Sequence, residues 1–198
     1  MHLLWFEVSL VIGTVLLLRV SADHRAVTAV YVAAVSGLFG TSASYHRGNW
    51  SPRTRSMFER LDHAMIFVLI AGSATPLFVV AVPGWGGRVM LAGLLAVTAT
   101  LLVAHLLWMT APELLVGSAY VGLGGLGAAA LPGVWMHAGT WPFVLILLGG
   151  GCYIAGAVLY HRRWPDPRPA VFGYHEVFHC FVCAGATAQF VAIAIFVV

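Results

Sequence analysis

Lysine is absent from all 198 residues, and only 9% of the chain is charged. A soluble domain of this size carries about 25% charged residues, so the shortage excludes an ordinary water-soluble globule. No polar stretch is long enough to make a second folded unit. The ten basic residues, all arginine, are scattered between apolar runs and leave a net charge of only +3. That excludes the dense basic surface on which nucleic-acid binding depends. Cysteine is scarce as well: Cys152, Cys180 and Cys183 all fall within apolar runs, where they read as small buried hydrophobes, not as a disulfide framework.

What the chain has in abundance is apolar surface, 61% of its residues. A helix needs roughly 20 apolar residues to cross the hydrocarbon core of a bilayer. Segments 3–20, 26–45, 61–82, 87–109, 114–134, 141–160 and 175–198 meet or approach that length. The expected fold is therefore all-α: one domain over residues 1–198, an integral membrane bundle of seven transmembrane helices. The first run ends at Ser21-Ala22, a loose imitation of a signal-peptide cleavage site, but no positive residue precedes it and Glu7 interrupts it. A retained membrane helix is the expectation. The fifth segment is rich in glycine (Gly117, Gly122, Gly124, Gly125, Gly127). Small residues let helices approach closely in lipid, so it reads as a packed interior helix.

The connections carry the arginines. Arg47, Arg53, Arg55 and Arg60 alternate with Trp50, Met57 and Phe58, a mixture suited to an interfacial segment with a short amphipathic helix starting near Ser51-Pro52. Arg162, Arg163 and Arg168 lie in a Pro-rich turn before the last segment. Seven crossings put both connections and the N-terminus on one side, with seven arginines against Arg19, Arg25 and Arg88 on the other. The excess places that side in the cytoplasm.

Crossing parity also brings four chemically costly residues to that side. His46 ends the second segment, Asp62 opens the third, and His175 and His179 occupy the first two turns of the seventh. Ionisable groups at the edge of a hydrocarbon slab are expensive and mark function by default. His175 and His179 share an i,i+4 helix face, and Ser42 and His46 repeat that spacing. Three imidazoles with an open fourth position match a catalytic zinc site, since structural sites are usually closed by four protein ligands. Imidazole suits zinc better than it suits calcium or magnesium, and iron and copper stay open as alternatives. Such an ion brings the pKa of bound water towards neutrality. Asp62 would orient that water as general base or ligate the metal directly, and Ser42 would hydrogen-bond the site or a substrate carbonyl. The plainer alternatives are headgroup contacts for the histidines, an Arg60 or Arg47 partner for Asp62, and a backbone hydrogen bond for Ser42.

The blocks SASYHR (Ser42–Arg47), ERLDHAMIFVLIAGSATPLF (Glu59–Phe78) and FGYHEVFH (Phe172–His179) resemble the bacterial hemolysin III branch of the progestin and adipoQ receptor family, in the family's own spacing and across almost the whole chain. The resemblance implies a seven-helix fold with zinc near the cytoplasmic face of a bacterial plasma membrane. It assigns the three-histidine zinc set to His46, His175 and His179, and the carboxylate that holds the metal's water to Asp62, with Ser42 in the S-x3-H block. The wider superfamily includes alkaline ceramidases, which hydrolyse a lipid amide. Bacterial members usually begin with an E-x-x-N-x-x-H type motif. Here only Glu7 matches, with no Asn or His following at that spacing, so the first helix receives no role.

His63 points about 100° away from Asp62 on the same helix and is expected outside the site. His161 reads as solvated beside Arg162 and Arg163, while His105 and His137 receive no role. Cys180 and Cys183 read as core packing, Glu176 as facing the interface or an arginine, Glu7 and Glu113 as interfacial carboxylates, and Pro76 as a kink. Three functions follow from the chain, in this order: a metal-dependent hydrolase of a membrane lipid amide or ester, a receptor or lipid-homeostasis sensor with structural zinc, and a pore-forming hemolysin. The partners expected are membrane lipids, one of them a substrate or ligand. Oligomeric state stays open, because a glycine-rich face packs equally well within a bundle or between copies.

Overall fold

The computed structural model describes residues 2–108 and 110–198. Met109, the expected last residue of the fourth segment, lies outside the described residues. The helices are α1 (His2–Arg19), α2 (Ala22–Arg47), α3 (Pro52–Pro76), α4 (Trp85–Leu107), α5 (Glu113–Ala128), α6 (Leu131–Ala138), α7 (Thr140–Arg162) and α8 (Tyr174–Val197). A π-helical turn, Leu77–Ala81, extends α3, and α5 with α6 makes one span. Seven helices are thus long and apolar enough to cross a membrane, as the hydropathy of the sequence predicts.

Two spans differ from expectation. The arginine-rich segment after Gly48 is no separate interfacial helix; it is the opening of α3. The Ser51 side chain accepts a hydrogen bond from Thr54 N at 3.3 Å and Pro52 occupies the first turn, an N-terminal cap with a preset φ. Nothing after it interrupts the helix until Pro76. There the missing N–H and the bulk of the ring open the ladder into the π turn, which is the form the expected kink takes. The fifth span breaks at Ala129–Ala130, because Pro132 in the first turn of α6 has no N–H to bond back to the Ala128 carbonyl and its ring crowds that group.

The glycine-rich α5 is a helix, but it is not the packed interior one expected. A Cβ at Gly117, Gly122, Gly124 or Gly125 would meet nothing within 4 Å, and only Gly127 touches neighbours, Ala74 and Leu94. Close approach occurs elsewhere. At Gly149 of α7 and Gly185 of α8, a Cβ on either would lie 3.0 Å from the other's carbonyl oxygen, so the two backbones meet directly. Gly72 of α3 sits against Ala34 of α2 in the same way. Pairs α7–α8, α2–α3 and α1–α2 make the most extensive packing in the chain.

The α1–α2 pair is antiparallel, and its register positions the site. Gly13 meets Val32, the Ser9 hydroxyl donates to Ser36 Oγ at 3.0 Å, and Gly40 meets Phe6. Each step towards the start of α1 is matched by a step towards the end of α2. Continuing that register brings His2 opposite Ser42 and His46.

Candidate metal centre

Each wall of the site is held by local structure. At the end of α2, Gly48 N and the Trp50 indole Nε1–H both donate to Ser44 O, at 3.2 and 2.8 Å. Trp50 stacks on Phe58, and the Arg55 guanidinium lies 5.2 Å from the centre of the Tyr45 ring. The short connection therefore folds back on itself and holds His46 beside α3. At the start of α8, Glu176 Oε2 accepts from Gly173 N at 2.8 Å, and Asp166 Oδ1 accepts from Tyr174 N at 3.0 Å. Glu176 thus caps its own helix, where an interfacial or arginine contact was expected. The Tyr160 ring of α7 packs against both His175 and Phe178.

The four residues singled out by parity do converge. His175 Nε2 lies 2.8 Å from His179 Nε2 and 3.5 Å from His46 Nε2. Asp62 Oδ2 stands 4.0 Å from His46 Nε2, and among the described residues it has no arginine partner. Ser42 is buried. Its hydroxyl makes no bond to its own backbone, unlike Ser44 and Thr28, and reaches His2 Nδ1 at 3.2 Å. It also neighbours the Asp62 carboxyl group.

His2 is the residue that sequence reasoning missed. Its ring stacks on His46, centroids 4.8 Å apart and planes 13° from parallel, and meets His179 edge-on at 4.1 Å. His2, His46 and His179 each offer a ligand atom, all within 4.8 Å of one another. Two histidine trios therefore overlap, one through His175 and one through His2, sharing His46 and His179. His179 is buried, His2 and His175 are half-buried, and His46 stands at the open edge. A set of neutral nitrogen donors at that spacing, with one carboxylate beside it, has the composition of a site for a divalent transition-metal ion.

The other titratable groups stay apart. His63 turns away, with Nδ1 2.9 Å from Glu59 O and its ring facing His105 of α4. His161 is exposed and Glu7 is exposed. Cys183 is buried as expected, but Cys180 is exposed on the outer face of α8 and Cys152 is half-buried; all three are free thiols.

Two openings lie at this end of the chain. A recess of about 320 Å³ is bounded by Asp166, Pro169, Gly173, Tyr174, His175 and Glu176. An open, mainly apolar groove of about 420 Å³ runs along α2 past Gly37, Thr41 and Ser44, between Phe6 of α1 and Phe58 and Leu61 of α3.

A family model described as Haemolysin-III related matches residues 1–190. The chain is 27% identical over 147 residues to the hemolysin-3 homolog of Bacillus subtilis (strain 168), covering 74% of this chain and 66% of that protein. It is 25% identical over 146 residues to hemolysin-3 of Bacillus cereus, covering 74% and 64%. The matched part thus spans just under two thirds of these relatives.

Proposed function

The chain belongs to the Haemolysin-III related family, and on that premise we propose that it is a zinc-dependent hydrolase of an amide or ester bond in a membrane lipid. The reading rests on one observation above the others: the meeting of His46, His175 and His179 nitrogens beside the Asp62 carboxylate. Two nitrogens on one tetrahedral zinc stand about 3.3 Å apart. The observed separations, 2.8 and 3.5 Å, bracket that value, so small side-chain rotations would fit the ion. His46, His175 and His179 would hold it. When bound, zinc supplies a Lewis acid that polarises a carbonyl and eases deprotonation of water.

The chain's own residues then divide the remaining work. Asp62 orients the attacking water and takes its proton as oxygen adds to the carbonyl carbon. As the C–N or C–O bond breaks, Asp62 returns that proton to the departing amine or alcohol. The Ser42 hydroxyl, beside Asp62 and buried, donates to the substrate carbonyl oxygen. The two openings suit an amphiphile: the polar recess beside His175 takes a headgroup, and the apolar groove along α2 takes an acyl chain. Seven arginines at this end against three at the other support a site at the cytoplasmic leaflet of the plasma membrane.

The test is fatty-acid release from a broad panel of amide- and ester-linked lipids by purified protein carrying stoichiometric zinc. Asp62→Asn is expected to lower turnover by roughly 10²–10⁴-fold with the metal content unchanged. If no lipid in the panel is cleaved, catalysis is abandoned. The proximity of His2 favours a second reading, a receptor or lipid sensor in which the ion only braces the helices. A His175→Ala protein that loses both fold and metal, with wild type lacking turnover, would select it. Lysis, implied by the name of the relatives, ranks third. Metal-independent leakage of liposomes by the purified protein would restore it.

A further inference from the structure

We propose that His2 is a fourth imidazole donor to this metal centre, so that the ion ties α1 to α2 and α8 together. The inference rests on the reading that the histidine cluster holds a metal, and it adds a ligand from a third helix. Three independent features of His2 point the same way. Its ring lies against both His46 and His179, the two histidines that the two trios described above share. Its ligand atom falls within 4.8 Å of theirs. Its Nδ1 is already engaged by the Ser42 hydroxyl at 3.2 Å, which leaves Nε2 as the nitrogen free for the cluster. A ligating histidine almost always has its second ring nitrogen held by an oxygen of this kind, which sets its tautomer and orientation.

The placement is built into the helix pair. The Ser9–Ser36 hydrogen bond and the Phe6–Gly40 and Gly13–Val32 contacts set an antiparallel register that leaves His2 no other neighbourhood. With His2, His46, His175 and His179 bound together, the resting site is closed in the manner of a structural centre. For turnover the His2 imidazole would have to give up its place to water, because it is the one donor that the three-histidine set with Asp62 does without.

The deciding measurement is X-ray absorption at the zinc edge of zinc-loaded wild-type protein, counting imidazoles. Four are expected, whereas three with a light oxygen ligand would overturn the proposal. A second measurement uses Co²⁺ as probe. In a His2→Cys variant, a thiolate-to-cobalt charge-transfer band absent from wild type is expected, and no such band on the Co²⁺-loaded variant would overturn the proposal. In His2→Ala, Co²⁺ affinity is expected to fall at least about tenfold; unchanged affinity would also overturn it. A structural role in packing would not generate the charge-transfer band. If wild type binds neither zinc nor cobalt, the metal reading itself fails, an outcome separate from a metal-loaded protein that ignores position 2.

Discussion

The two halves of this bundle use the same small residues to opposite ends. Around the site, glycine is where helices touch: Gly149 against the Gly185 backbone, Gly72 against the Ala34 methyl group and Gly40 against the Phe6 ring. Across α5, four of five glycines face open space. Burial is greatest in the spans that carry Asp62 and His46: in the most apolar stretch of the third span 67% of residues are buried within the chain and in that of α2 44%, against 11% in α4 and 17% in the α5–α6 span. In lipid there is no hydrophobic drive to bring helices together, so association depends on packing and interhelical hydrogen bonds. The helices that carry the histidines and Asp62 have such close contacts, and Tyr120 of α5 adds one hydrogen bond to them, donating to His63 O of α3 at 3.0 Å. The histidine cluster sits on this closely packed, rigid half, which is where a site's geometry can be held within a fraction of an ångström.

The largest effects should come from the rigid half. His46→Ala and His179→Ala remove the two imidazoles shared by both trios, and each is expected to abolish stoichiometric metal in purified protein by elemental analysis. His63→Ala, on the same side but turned towards His105, is expected to keep full metal content. Equal loss in all three would mean that the histidines act only through the fold. Next come Gly149→Leu and Gly185→Leu. Each forces a branched side chain into a contact where even its Cβ would lie 3.0 Å from the facing carbonyl oxygen, and overpacking of this kind costs about 1–3 kcal/mol or more. A lower thermal midpoint in detergent with metal loss at elevated temperature is expected, because α8 carries His175 and His179. Unchanged stability would show that α7 and α8 are not in direct contact.

Most of the rigid half was legible in the sequence, because the bilayer imposes both length and periodicity. Apolar runs of about 20 residues exposed the spans. Crossing parity with i,i+4 spacing exposed His46, Asp62, His175 and His179 without any knowledge of contacts. His2 escaped for a physical reason. It has no i,i+4 partner, and a span read from residue 3 left it outside the helix. Its place depends on the pairing of α1 with α2, a tertiary fact. The clue was the parity that puts the start of α1 at the same side as His46, together with the small and polar residues Ser9, Gly13, Ser36 and Gly40 that set the register. Asp62 lies ten residues inside α3, not at its opening, because Ser51 and Pro52 start the helix earlier than hydropathy can see. The α5 glycines were misjudged because composition shows that close approach is permitted and not whether a neighbour is there.

That misjudgement sets up the smallest and sharpest test. Gly124→Ala and Gly125→Ala place a methyl group where nothing lies within 4 Å, so no steric cost arises inside one chain. Replacing glycine by alanine in a helix interior gains about 0.5–1 kcal/mol through backbone entropy, and the thermal midpoint in detergent is expected to hold or rise slightly. The same substitutions at the other half, Gly72→Ala for instance, meet Ala34 Cβ and are expected to lower it. If instead the α5 variants lost stability, the open face would have to be covered in the membrane, and the nearest source of a cover is a second copy of the chain. Their effect on the oligomer size seen by cross-linking in native membranes separates the two cases. An unaltered size with an unaltered midpoint leaves α5 as a lipid-facing helix, and the contrast between the halves belongs to the single chain.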